Sequence, residues 1–103
     1  MALPDWRHRS EHIRTRTDRY GPGEQNIEPA WANEAYADPY AVEFRPDFAS
    51  TSGQSVRTIG WSDTAGFLIT VITVEDSENL WGATAWKSDT GDQRRYTGED
   101  GKE

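Results

Sequence analysis

Lys87, Arg94, Arg95 and Tyr96 bring three cations and a phenol together in one short stretch of an otherwise acidic chain. That mixture can hold a phosphate, the arginines by paired N–H donors and the lysine as a point charge. The same arginines have a plainer use, because Asp89 and Asp92 stand at helical ion-pairing spacings, where exposed pairs contribute roughly a few tenths of a kcal/mol each. Trp86, next to Lys87, falls on the opposite side of the strand end by alternation and is expected to line a surface. Tryptophans can stack on nucleic-acid bases for about 1–3 kcal/mol each. Of the five here, Trp31 lies on an apolar helical stripe and Trp61 and Trp81 at strand positions, so those three are expected to pack inside.

His8 and His12 are the only histidines, four apart in an arginine-rich segment, with no carboxylate beyond Glu11 at a recognisable ligand spacing. That spacing alone makes no metal site, and no cofactor is expected. The glycines sit in turns, so no phosphate loop or nucleophile elbow is present, and with no cysteine there is neither a thiol nucleophile nor a disulfide framework.

Charge is unevenly distributed. Residues 1–20 hold five of the eleven basic side chains (Arg7, Arg9, Arg14, Arg16, Arg19) against three acids, while the rest of the chain carries a net −9. Such a body repels a polyanion at long range, so nucleic acid could be bound only through a local basic patch, for which Arg14, Arg16 and Arg19 are candidates. Residues 1–10 read as a basic, flexible N-terminal arm, residues 11–97 as one α+β domain, and residues 98–103 as a polar tail. The longest apolar-rich stretch, Ala65 to Val74, is about half of what a membrane span needs, and residues 1–20 contain no apolar core of a secretory signal. A cytoplasmic protein with no membrane partner is expected.

The elements that would position these residues can be read from periodicity. Ile13, Thr17 and Tyr20 share a helical face within Glu11–Tyr20. Asn26 can cap a second helix with Ile27, Ala30, Trp31 and Ala35 on one stripe, ending near Asp38 before Pro39. Tyr40, Val42 and Phe44 alternate as a first strand closed by Pro46; Val56, Ile59 and Trp61 form a second. Phe67 to Val74 is apolar on both faces and so predicts a strand in the middle of the sheet. Leu80 to Lys87 is the fourth strand, and Thr90 with Gln93 predicts a capped terminal helix ending before Gly98. The expected fold is α+β: two N-terminal helices, a four-stranded antiparallel meander and a C-terminal helix, with the helices on one face of the sheet.

This order of segments resembles the BrnT-like family of RelE-like toxins from bacterial toxin–antitoxin systems. The matching residues are Glu11-His12-Ile13, the run Ala37 to Phe44, Val56 to Trp61, Gly66 to Val74, Thr84 to Lys87, and Gln93-Arg94-Arg95-Tyr96. The resemblance implies a toxin that cleaves RNA without a metal, with a cognate antitoxin, itself a DNA-binding protein, as partner. It implies catalytic roles for His12, Lys87, Arg94 and Tyr96, and RNA binding by Arg14, Arg16, Arg19, Trp86 and Arg95. His12 would act as acid or base, the cations would stabilise the phosphate, and Tyr96 would position it. The alternative is a BrnT-like protein-binding module without nuclease activity, favoured by the acidic body and by Trp86 where the family carries a basic residue. The oligomeric state is left open.

Overall fold

The computed structural model describes residues 2–98. Its elements are α1 (Ser10–Arg14), α2 (Arg16–Tyr20), α3 (Pro29–Tyr36), β1 (Val42–Phe44), β2 (Ser55–Ser62), β3 (Phe67–Glu75), β4 (Leu80–Lys87) and α4 (Thr90–Thr97). The strands form one antiparallel sheet in the order β1-β2-β3-β4. The meander, the interior β3 and the terminal helix agree with the reading from periodicity.

One face of the sheet is closed by apolar burial. Ile69 and Val71 of β3 and Ala85 of β4 pack with Ile13, Ile27, Ala32, Ala35 and Trp6. Two glycines expected in turns, Gly60 and Gly82, lie within β2 and β4 and set the spacing: a Cβ added at Gly60 would lie 1.9 Å from the Ala35 carbonyl oxygen, so α3 rests directly on the β2 backbone. At Gly82 an added Cβ would lie 2.4 Å from the Trp6 ring, so the indole lies across β4. Trp6 also donates its Nε1–H to Asn33 Oδ1 at 2.9 Å, which satisfies its one polar atom.

Residues 4–6, expected in a flexible arm, are therefore part of the domain. Trp6 is buried, Asp5 pairs in parallel with Trp81, and the Asp5 N–H and carbonyl bond Leu80 and Gly82 across the edge of β4. Hydrophobic burial of one indole outweighs the charges around it, which stay in solvent. Of the polar tail expected at 98–103, residues 99–103 lie outside the described residues.

The helices do not share one face. Thr70 alternates with Ile69 and Val71, so it points away from α3, and there it meets Asp92 of α4. Helix α4 thus covers the opposite side of the sheet. Four boundaries also differ. Strand β1 starts at Val42, which leaves Tyr40, expected at its head, exposed in the preceding turn. The expected Glu11–Tyr20 helix is broken at Thr15, whose hydroxyl bonds back to the Glu11 carbonyl at 2.7 Å. Asn26 does not cap α3, which starts on Pro29; its Oδ1 accepts from Thr17 N–H in the first turn of α2 instead. Asp89, not Thr90, caps α4 by accepting from Asp92 N–H, and Gly98 closes the helix at φ 82° as its sequence position predicts.

Candidate nucleic-acid interface

A depression of about 470 Å³ opens where α1 and α2 meet the end of β4, lined by His12, Arg16, Tyr20, Trp86 and Lys87 together with the carboxylates of Glu24 and Asp89. His12 reaches it because Ile13 is buried beneath α1, which turns its neighbour toward the rim. Burial, then Arg19, Arg9 and Arg16, hold the imidazole below its ordinary pKa, so at pH 7 it is neutral and able to accept a proton. The Arg19 guanidinium also donates to the His12 carbonyl and to Thr15 Oγ1, bracing the α1–α2 break. Lys87 is exposed, its side chain makes no hydrogen bond or ion pair among the described residues, and its Nζ lies 5.1 Å from the Phe67 ring centre.

From this depression a ladder of alternating cations and rings runs across the α4 side of the sheet. Arg19 and Arg16 lie 5.7 and 4.6 Å from the Tyr20 ring, and Arg16 lies 5.7 Å from Trp86. Arg57 lies 5.5 Å from Trp86 and 4.3 Å from Phe48, and Arg95 completes the run at 4.4 Å from Phe48. Phe48 is 55% exposed, so the far end of the ladder faces solvent. Each contact contributes roughly 0.5–2 kcal/mol depending on its solvation.

The middle of the ladder is fixed from below. Arg57 is buried, donating from Nε to Asp47 at 2.8 Å and from Nη1 to both oxygens of Asp92 at 2.9 and 3.0 Å. Asp92, fully buried, also accepts from Thr70 Oγ1 at 2.7 Å and from Arg95 at 2.8 Å. Ser88 joins through Thr70 at 2.8 Å. Breaking such a network by removing one charge costs about 3–5 kcal/mol, because the partner is left buried and unpaired. Two of its cations therefore face as many buried carboxylates. The charge available to a ligand rests mainly on Arg16, Arg19 and Lys87, and Arg16 is itself 3.2 Å from Glu24.

The residues expected to act together are divided. His12, Arg16, Trp86 and Lys87 line one depression, and Arg19 and Arg95 join them through the ladder. Tyr96 is elsewhere: its hydroxyl donates to Asp38 Oδ2 at 2.6 Å in a second depression. Burial, then the Asp38 carboxylate, push its pKa up to about 12, so it is a poor partner for chemistry at His12. Arg94 is on the exposed side of α4 and lines neither depression, and Arg14 pairs on the surface with Glu28 at 2.9 Å. Trp61, expected inside, is 42% exposed and donates to Asp63, while Trp31 and Trp81 are half-buried.

Arg57, Asp47, Phe48 and the inward role of Asp92 were missed from the sequence. The available signal was Arg57 itself, a charge within a strand whose neighbours Val56, Thr58 and Ile59 are buried, which demands a carboxylate partner. No protein-family model, curated protein or solved structure matches this chain.

Proposed function

We propose that the chain is the toxin of a BrnT-like toxin–antitoxin pair, a cytoplasmic endoribonuclease that works without a metal. The observation that carries this reading is the convergence of His12, Arg16, Trp86 and Lys87 on one depression at the end of the cation–ring ladder. Single-stranded RNA would lie along the ladder, its bases stacking on Trp86 and the exposed Phe48 and its phosphates near Arg16, Arg19 and Lys87. Neutral His12 would take the proton from a ribose 2′-hydroxyl. The 2′-oxygen then attacks phosphorus, the bond to the 5′-oxygen breaks, and that oxygen takes its proton from solvent. The products are a 2′,3′-cyclic phosphate and a 5′-hydroxyl. Arg16 and Lys87 would stabilise the charge that builds on the phosphoryl oxygens. Arg94 and Tyr96 have no part in this step.

The second reading is a binding module of the same fold without nuclease chemistry. It is favoured by the tie of Tyr96 to Asp38 and by the carboxylates that offset Arg57, Arg95 and Arg16. Expressing the chain alone in growing bacteria and following total RNA separates the two. Rapid RNA loss, absent in Lys87→Ala, supports the toxin; intact RNA and normal growth leave the binding module. Full toxicity in Lys87→Ala would remove Lys87 from the site.

A further inference from the structure

The second depression is the larger, about 540 Å³, and its charged lining is carboxylate alone, whereas the first mixes cations with Glu24 and Asp89. It lies between the end of α3, the turn Asp38-Pro39-Tyr40 and the end of β2, and its walls are aromatic. Tyr40 is 79% exposed and Trp61 42% exposed, two of the larger apolar surfaces left uncovered. Tyr96 forms the third wall.

Three carboxylates share this cup: Glu34, Asp38 and Asp63. Their hydrogen bonds come from neutral donors. Glu34 accepts from Ser62 Oγ at 2.7 Å and from the Thr64 N–H and hydroxyl at 3.0 and 2.6 Å. Asp38 accepts from Tyr40 N–H at 2.9 Å, Trp61 N–H at 2.8 Å and the Tyr96 hydroxyl at 2.6 Å. Asp63 accepts from the Trp61 indole at 2.9 Å. These bonds fix the carboxylates without neutralising them, and none of the three has a cationic partner among the described residues. Each keeps acceptor capacity, since a carboxylate offers about four lone-pair sites.

Held negative charge beside exposed aromatic faces selects a cation that can lie flat on a ring and still donate at its edge. A guanidinium does both, whereas an ammonium is a compact, strongly hydrated point charge. The chain uses this packing internally, with Arg57 and Arg95 each stacked on Phe48.

We propose that the cup formed by Tyr40, Trp61, Tyr96, Glu34, Asp38 and Asp63 is a docking site for an arginine side chain of a basic partner polypeptide. The site is separate from the His12 depression and does not depend on RNA cleavage. Partner docking and RNA binding would therefore use different surfaces.

The test is a titration of isotope-labelled protein with the blocked peptide acetyl-Ala-Ala-Arg-Ala-Ala-Arg-Ala-Ala-amide, followed by amide and indole NMR signals. Expected are saturable shifts at the Trp61 indole and at the amides of Tyr40, Asp63 and Thr64. The citrulline peptide, which keeps shape but loses charge, should bind at least about tenfold more weakly, and the lysine peptide should be weaker than the arginine one. Asp63→Asn keeps an acceptor for the Trp61 indole and should weaken binding severalfold with an otherwise unchanged spectrum; Trp61→Ala should weaken it about tenfold. Equal binding of the citrulline peptide, unchanged affinity in Asp63→Asn, or shifts spread over the acidic turn at Glu75–Glu78 would each overturn the proposal. RNA cleavage by the same samples is read independently, so an inactive chain that still binds the arginine peptide contradicts only the nuclease reading.

Discussion

The two faces of the sheet are closed by different physics. Beneath α3, Ile69, Val71 and Ala85 meet alanines and a tryptophan, and the energy is area removed from water. Beneath α4, Ile59 and Ile72 are buried too, but beside them Arg57, Asp47, Asp92, Thr70 and Ser88 meet one another, and that part of the energy depends on every group finding its partner. Among the described residues no buried side-chain nitrogen or oxygen is left without one. The apolar face should tolerate volume-conserving change; the polar face should tolerate only paired change. This difference also divides labour, since the ladder of cations and rings runs from α2 onto the polar face and not onto the apolar one.

The comparison is broken most severely at the closest contacts of the apolar face. Trp6→Ala should cost about 3–5 kcal/mol, and Gly60→Val about 3 kcal/mol because α3 must lift from β2. Urea denaturation midpoints check both. On the polar face Asp92→Ala should cost about 3 kcal/mol or more by leaving Arg57 buried and uncompensated. The triple variant Asp47→Leu, Arg57→Met, Asp92→Leu, which removes Arg57 together with both of its buried carboxylates, should recover most of that loss; a triple variant as unstable as Asp92→Ala would mean that the ion pairs are net stabilising.

Changes at the ligand side should be quiet in stability and loud in binding. Lys87→Ala should move unfolding by less than about 0.5 kcal/mol, as expected for an exposed side chain, while lowering the slope of log affinity for single-stranded RNA against log salt by about 0.7. Calorimetry and binding at several salt concentrations separate the two effects.

The smallest effect concerns His12. Its folded pKa is lower than the unfolded value near 6.5, so the unfolded chain binds more protons between the two. The contribution to stability is complete above about pH 6.5 and declines as pH falls toward the folded pKa. His12→Gln should flatten the stability profile in that window, and proton transfer to His12 should keep cleavage active below pH 6.5. An unchanged profile would show that His12 is as solvated as in the unfolded chain.

The apolar face was legible because its signal is local: the unbroken apolar run Phe67–Val74 identifies β3, and the stripe of Ile27, Trp31 and Ala35 identifies the helix that covers it, although Ala30, read on the same stripe, is exposed and Ala32 is buried instead. The polar face was not, because Thr70, Arg57 and Asp92 have the composition of a solvent face until they are seen to point at one another across 35 residues of sequence. Periodicity separates the two sides of a strand and does not tell whether a polar side is wet. Trp6 was misread for a related reason. Its neighbours Asp5, Arg7 and His8 are charged or polar, and only its resting place on Gly82 explains it. Of the site, the cluster at Trp86 and Lys87 was legible from strand alternation, and the separation of Tyr96 from His12 was not, since the two lie on elements far apart in sequence.

The bridge from Asp5 to β4 also governs how the molecule meets its own copies. Strand β1, at the other margin, has only three residues, too short to template much pairing, but β4 has eight. By bonding Leu80 and Gly82, residues near Asp5 occupy hydrogen-bonding positions that a second chain could otherwise use. A form lacking residues 1–5, which frees this edge and keeps the Trp6 indole, should self-associate by strand addition, visible as higher-order species in size-exclusion chromatography.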